Sequence, residues 1–238
     1  MLRKTVLALV SIGALGLSGC ITSGSKMDLA PFETRPVNAP FAAGAYCNLE
    51  NEDGARIVRS QEECVQVSWD SQTRRYTFAM ADHGKTTRLP ISVTPLRNGM
   101  LFAQADAADI AKLQDEPADG AAGADEDTPP HMHAVLLVVG SAMLNPGWNA
   151  TPEDMDALAA RHPAIKLEGR GTSRVIAKGS RQDALDYVWD LLMVSLGKDA
   201  SAPSILVRDR LGAANHAPSK AQSRDIRAAL EKVDALRR

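Results

Sequence analysis

The chain has 238 residues and carries 27 Lys and Arg against 29 Asp and Glu, so its formal net charge is −2. This balance excludes the strongly basic class of nucleic-acid-binding proteins, and we expect no nucleic-acid partner. The length allows one sizeable core or two small ones, to which aromatic residues, at 4%, contribute little.

The first residues have the pattern of a targeting segment. Arg3 and Lys4 give a positive start, and residues 6–17 are almost all apolar or small. A bilayer core about 30 Å thick needs roughly 20 apolar residues, so this run is too short for an anchor helix and is typical of a signal peptide. We therefore exclude residues 1–19 from the fold.

The targeting segment ends in Leu17, Ser18, Gly19 and Cys20, which resembles the cleavage motif of bacterial lipoproteins. The resemblance implies cleavage before Cys20 and attachment of lipid to its thiol, with several acyl chains that hold the protein durably on a membrane. Ile21 stands where an aspartate in that family signals retention in the inner membrane. The resemblance therefore favours the periplasmic face of the outer membrane. The alternative is an ordinary secretory signal with a cysteine at its cleavage site.

Two cysteines remain once Cys20 is assigned to lipid. A protein outside the cytoplasm is in an oxidising compartment, so Cys47 and Cys64 are expected to form a disulfide. The chain-entropy model gives such a loop a stabilisation of roughly 3 kcal/mol. A catalytic pair is the alternative, but its spacing is far from the Cys-x-x-Cys arrangement that lowers a thiol pKa.

Residues 20–43 are expected to be a flexible tether. Three prolines lie there among small and polar residues, and neither a strand nor a helix period is sustained. A folded domain is then expected over residues 44–212, followed by an amphipathic C-terminal helix in 213–238.

The first part of the domain has the pattern of β-structure. Short alternating runs such as Val65, Val67 and Trp69 place apolar groups on one face, and turn signals separate them between residues 46 and 105. This spacing predicts an antiparallel meander. The apolar run 134–139 predicts a buried strand that completes the sheet.

An acidic segment interrupts the domain after a short helix expected near residues 106–113. Residues 114–130 contain six acidic side chains among Ala, Gly and Pro and are expected to be disordered. Calcium binding is the alternative, but the alternating carboxylates around a fixed glycine are missing.

The second half of the chain predicts helices. Thr151 and Ser180 are expected N-caps of two of them, short strands are expected near Gly169 and Gly171 and at 205–207, and residues 222–236 form the last helix. The predicted fold class is therefore α+β, an antiparallel β-sheet meander packed against two or three helices.

His131 and His133 are weak candidates for a metal site. Side chains two apart on a strand point the same way and can share an ion. The sequence supplies no third ligand at a recognisable spacing, so we expect neither a metal nor another cofactor, and surface histidines at a strand entrance are the alternative.

The C-terminal helix has the strongest interaction character in the sequence. Arg224 and Arg227 supply basic charge beside an apolar stripe that includes Leu230 and Val233. Such a helix is expected to bind a partner protein or an anionic surface. The alternative is that the stripe docks onto the protein's own domain.

No common hydrolase or nucleotide-binding motif is present, so we expect a protein that is not an enzyme. The sequence predicts a lipid-anchored envelope lipoprotein, an interaction or structural module for an envelope protein or polymer. The alternative is a periplasmic protein that binds a small ligand or a metal.

Overall fold

The computed structural model describes residues 23–30, 41–52, 54–59, 64–70, 72–73, 75–82, 85–111, 130–147, 149–169, 174–198, 203–210 and 214–238. The expected signal peptide, Cys20 with its expected lipid, and residues 114–129 of the expected acidic loop lie outside the described residues.

The described residues form twelve strands and four helices. The strands are β1 (Ser23–Ser25), β2 (Gly44–Glu52), β3 (Ala55–Val58), β4 (Cys64–Asp70), β5 (Arg75–Asp82), β6 (Lys85–Pro95), β7 (Met100–Asp106), β8 (His131–Val139), β9 (Ala142–Asn145), β10 (Lys166–Glu168), β11 (Arg174–Lys178) and β12 (Ser204–Asp209). The helices are α1 (Ala107–Ala111), α2 (Pro152–Ala159), α3 (Arg181–Leu196) and α4 (Lys220–Arg237).

Eight of the strands close into an antiparallel barrel. Around the ring they are β8, β7, β6, β5, β4, β2, β12 and β9, and β9 pairs again with β8. β3 pairs with β2 outside the ring. β1, β11 and β10 form an extension that leaves the ring at the first residues of β8.

The inside of the barrel is a packed apolar core. Alternation along each strand directs every second side chain inward, and all eight strands contribute buried apolar groups to one cluster. Its members include Tyr46, Val67, Phe78, Ile91, Ala103, Leu136, Met143 and Leu206. A barrel of this size has an interior that side chains just fill.

A second core lies outside the barrel, where helices cover part of its surface. Val135, Leu144 and Val207 of β8, β9 and β12 belong to the same buried cluster as Leu192 of α3 and Ile226 of α4. α4 contacts all three of these strands as well as α3. The helices therefore cover one side of the barrel.

The predicted α+β class is wrong. The chain is mainly β, a closed antiparallel barrel with few helices rather than an open meander packed against helices. Residues 134–139 do not complete a sheet, because β8 continues through β9 to β12, which pairs with β2. This closure joins strands from distant parts of the chain, and local alternation cannot specify such pairing.

The helix starts follow the predicted capping chemistry. Thr151 and Ser180 each accept a hydrogen bond from a backbone N–H in the first turn, of Asp154 and Asp183 respectively. The last helix begins earlier than expected, because Ser219 caps it in the same way through the backbone N–H of Gln222.

Candidate functional site

The segment that follows the expected lipid-bearing cysteine is part of the sheet. β1 pairs in parallel with β11 and antiparallel with β8, so Gly24 lies between Val175 and Met132. The N–H of Lys26 donates to the carbonyl of Ile176 at 2.9 Å. Ser23, the first residue of β1, therefore lies only three positions after Cys20, inside the segment that was expected to be a tether.

Polar contacts hold the rest of this segment against the barrel. The buried N–H of Leu29 donates to Gln104 Oε1 at 2.9 Å, and Gln104 Nε2 donates to Asp28 Oδ1 at 2.7 Å. Arg181 donates to the carbonyl of Leu29 and to Thr94 Oγ1, both at 2.8 Å. We call residues 23–30 and these partners the N-terminal seat.

A buried serine and histidine lie at the centre of the seat. Ser25 Oγ is 3.2 Å from His133 Nε2, and the Ser25 hydroxyl donates to the carbonyl of Met27. Because that hydroxyl has one proton, His133 must donate through Nε2, which leaves Nδ1 unprotonated. Nδ1 is buried without a hydrogen-bond partner among the described residues.

The environment of His133 favours the neutral imidazole. Burial, with a smaller contribution from His131, lowers the pKa of His133 to about 3. The ring of Phe102 lies edge-on at 4.7 Å between centroids. With the Ser25 hydroxyl inaccessible and already donating, the pair is suited to holding the seat rather than to nucleophilic chemistry.

The predicted metal candidates lie on the same side of β8, but each has its own partner. His131 Nδ1 is 2.9 Å from Asp106 Oδ1, and Arg75 is 3.2 Å from the other oxygen of that carboxylate. Within the part of the chain that the structure describes, no three His, Cys, Asp or Glu side chains are grouped to hold a metal ion.

The predicted disulfide is confirmed. Cys47 and Cys64 are bonded at 2.02 Å and are directly opposite each other on β2 and β4. The bond links two neighbouring strands of the closed ring.

The four residues predicted for interaction on α4 divide between core and surface. Val233 is buried in the outer core, and Leu230 packs against it. Arg224 and Arg227 are exposed, and Arg224 pairs with Asp225 at 3.2 Å. The apolar stripe therefore docks onto the protein's own domain.

Gln104 and Arg181 are two of the seat residues that sequence reasoning missed. A signal for Gln104 exists, because it is a lone polar residue in the otherwise apolar run from Met100 to Ala105. Such a residue in a strand buried on both faces needs a specific partner. Arg181 carries no comparable signal, because it directly follows the N-cap Ser180, at a helix start where a charged side chain needs no buried partner.

The chain was compared with known proteins at three levels, and no family model, curated protein or solved structure matches it. Among the described residues, no helix is both long enough and apolar enough to cross a bilayer.

Proposed function

We propose that the protein is a lipid-anchored lipoprotein of the cell envelope that acts without catalysis, by binding an envelope protein or polymer. The motif ending in Cys20 supports the anchor, and Ile21 after it supports the periplasmic face of the outer membrane as the location. The N-terminal seat is the observation that best supports the proposal. It attaches the chain to the barrel only a few residues after Cys20, the expected site of the lipid.

The barrel interior supports recognition through the outer surface. Large side chains such as Tyr46, Tyr76 and Phe78 are fully buried inside, so the interior contributes to stability. A barrel that encloses a small ligand needs instead an interior lined by a few polar groups around a cavity.

The side of the barrel away from the helices offers a surface for such a partner. On β4, Gln66 and Ser68 point outward, and they lie beside Ala79 and Thr77 of β5. Arg88 of β6 is exposed beside Ala79. Most of the side chains on this surface are polar, as at the rim of a protein interface.

Crosslinking in intact cells tests the proposal. The chain is expressed with its own leader, and covalent adducts are identified by mass spectrometry after membrane extraction. We expect lipid on Cys20 and one reproducible adduct in stoichiometric amount. The adduct should be lost in Cys20→Ser, because that form is no longer held at the membrane.

A surface variant gives the matched control. Ser68→Arg should weaken the adduct, whereas Ala157→Arg, on the exposed side of α2, should leave it unchanged. Turnover of an envelope substrate by the purified protein, or a mature chain without lipid, would contradict the proposal.

A further inference from the structure

The distance between the lipid and the folded body is set by very few residues. Ser23 is in β1 and Cys20 is three positions earlier. A fully extended chain covers at most about 3.6 Å per residue, so Ser23 lies within roughly 11 Å of the lipidated residue. If Cys20 is lipidated, as the proposed function requires, the body cannot stand away from the membrane.

The position of β1 selects the side of the body that faces the membrane. β1 pairs with β8 and β11, and β10 follows β11 at the outer edge. β4 is the fifth strand of the ring when β8 is counted as the first, which places it across the barrel. Strands about 4.8 Å apart in an eight-stranded ring give a barrel roughly 15 Å wide between backbones.

The side of the body that carries β1, β10 and β11 has basic side chains that can bind the phosphate oxygens of phospholipid headgroups. Lys166, Arg174 and Lys178 lie on β10 and β11, and Lys26 follows β1. Glu168 pairs with Lys26, and Asp156 of α2 pairs with Arg174, so Lys166 and Lys178 supply the net positive charge. Lys166 and Lys178 are exposed. Basic side chains close to a bilayer are attracted to anionic lipid.

From this geometry we infer that the surface formed by Lys26, β10 and β11 lies against the phospholipid headgroups, and that the outer face of β4 and β5 points away from the membrane. The inference rests on the proposed lipid anchor. It adds an orientation, because only residues 21 and 22 separate the lipidated Cys20 from β1, which the N-terminal seat holds against the barrel.

Single-cysteine labelling of the lipidated protein tests the orientation. With Cys47 and Cys64 in a disulfide and Cys20 carrying lipid, one added cysteine is the only free thiol. A fluorophore is placed on Glu168→Cys or on Ser68→Cys, and the protein is reconstituted into vesicles of phosphatidylethanolamine and phosphatidylglycerol that contain a headgroup quencher. We expect several-fold stronger quenching at position 168 than at position 68.

A longer linker is the matched control. A Gly/Ser spacer of about 12 residues inserted between Thr22 and Ser23 adds a mean reach of roughly 20 Å. Quenching at position 168 should then fall towards the value at position 68. Lys166→Cys provides a second near position that leaves the ion pair between Lys26 and Glu168 intact.

Two failures can be told apart in the same preparation. If the intact mass shows no lipid on Cys20, the proposed function fails and the orientation with it. If the lipid is present and both labels are quenched equally, or position 68 more strongly, the orientation alone is overturned.

Discussion

At the level of single residues, His133 links the N-terminal segment to the barrel. Its Nε2 faces Ser25 in β1, while its backbone belongs to β8, a strand of the ring. A neutral ring can keep this contact in an apolar environment, whereas a protonated ring loses the solvation that stabilises its charge. The side chain therefore makes the seat sensitive to acid.

Acid should destabilise the protein through His133. The pKa of His133 is about 3 in the folded protein and 6.5 for an ordinary solvated histidine, so between these values the unfolded chain binds a proton that the folded chain does not. Stability thus falls as the pH falls below 6.5, by roughly 2 kcal/mol between pH 7 and about pH 5. Urea unfolding at both pH values measures this loss, which His133→Leu should reduce.

His216 provides a control of opposite sign. Its two ring nitrogens face the carbonyl of Ala217 and the carboxylate of Asp209, and these contacts raise the pKa of His216. The contribution of His216 to the free energy of unfolding is complete below pH 6.5, its ordinary pKa. This contribution is lost as the pH rises through the raised pKa of His216 in the folded protein. His216→Gln should therefore leave the acid-side loss unchanged or increase it, and should not reduce it. An equal loss in wild type and His133→Leu would refute the role of His133.

At the level of elements, two polar side chains attach α4 to the barrel. Gln222 donates to the carbonyl of Arg208 on β12 at 3.1 Å, and Asp225 contacts the turn between β8 and β9. Asp225 accepts hydrogen bonds from the N–H and the hydroxyl of Ser141, both at 2.9 Å, in the turn between β8 and β9. Gly140 precedes Ser141 with a φ of 57°, and a Cβ there would lie 2.3 Å from Asp225 Oδ2. Glycine thus permits both the turn and the close approach of the helix.

Removing this carboxylate should weaken the docking of α4. Asp225→Ala leaves the N–H of the partly buried turn without its acceptor, which costs about 1–3 kcal/mol of unfolding free energy. Chemical denaturation measures the change, and hydrogen exchange should become faster in α4 before the strands of the barrel are affected.

Asp234→Ala is the matched control on the same helix. Asp234 is exposed, and its partner among the described residues is Arg237, three residues later, so its loss should change stability by less than about 0.5 kcal/mol. Equal effects of the two substitutions would show that Asp225 does not fasten the helix.

At the level of the whole molecule, the N-terminal segment belongs to the folded body. Leu29 and Ala30 are buried in the outer core, and β1 covers the edges of both β8 and β11. Residues 23–30 therefore act as a structural strap, although their composition resembles that of a linker.

Removing this segment should destabilise the protein. A chain that begins at residue 31 should lose about 3 kcal/mol or more relative to one that begins at Ser23, since truncating a buried leucine alone costs about 2–5 kcal/mol. Thermal and urea unfolding measure the difference, and exchange should become faster in the first residues of β8 and in β11. Equal stability of the two chains would show that the segment is a free tether.

The candidate site was only partly predictable. His131 and His133 were correctly placed on one side of a strand, because a period of two is a property of the backbone. Their partners Asp106 and Ser25 lie far away in sequence, on β7 and β1, and no local pattern brings these strands together. Arg181 reaches the carbonyl of Leu29 across most of the chain for the same reason.

The sequence by itself determined the features that depend on neighbouring residues or on composition. Helix caps at Thr151 and Ser180, alternation in β4 and the pairing of Cys47 with Cys64 follow from local geometry and chemistry. The tertiary structure decided the closure of the barrel, the docking of α4 and the seating of residues 23–30. Each of these requires contacts between distant segments, whose register is selected by packing over the whole fold and not by local preference.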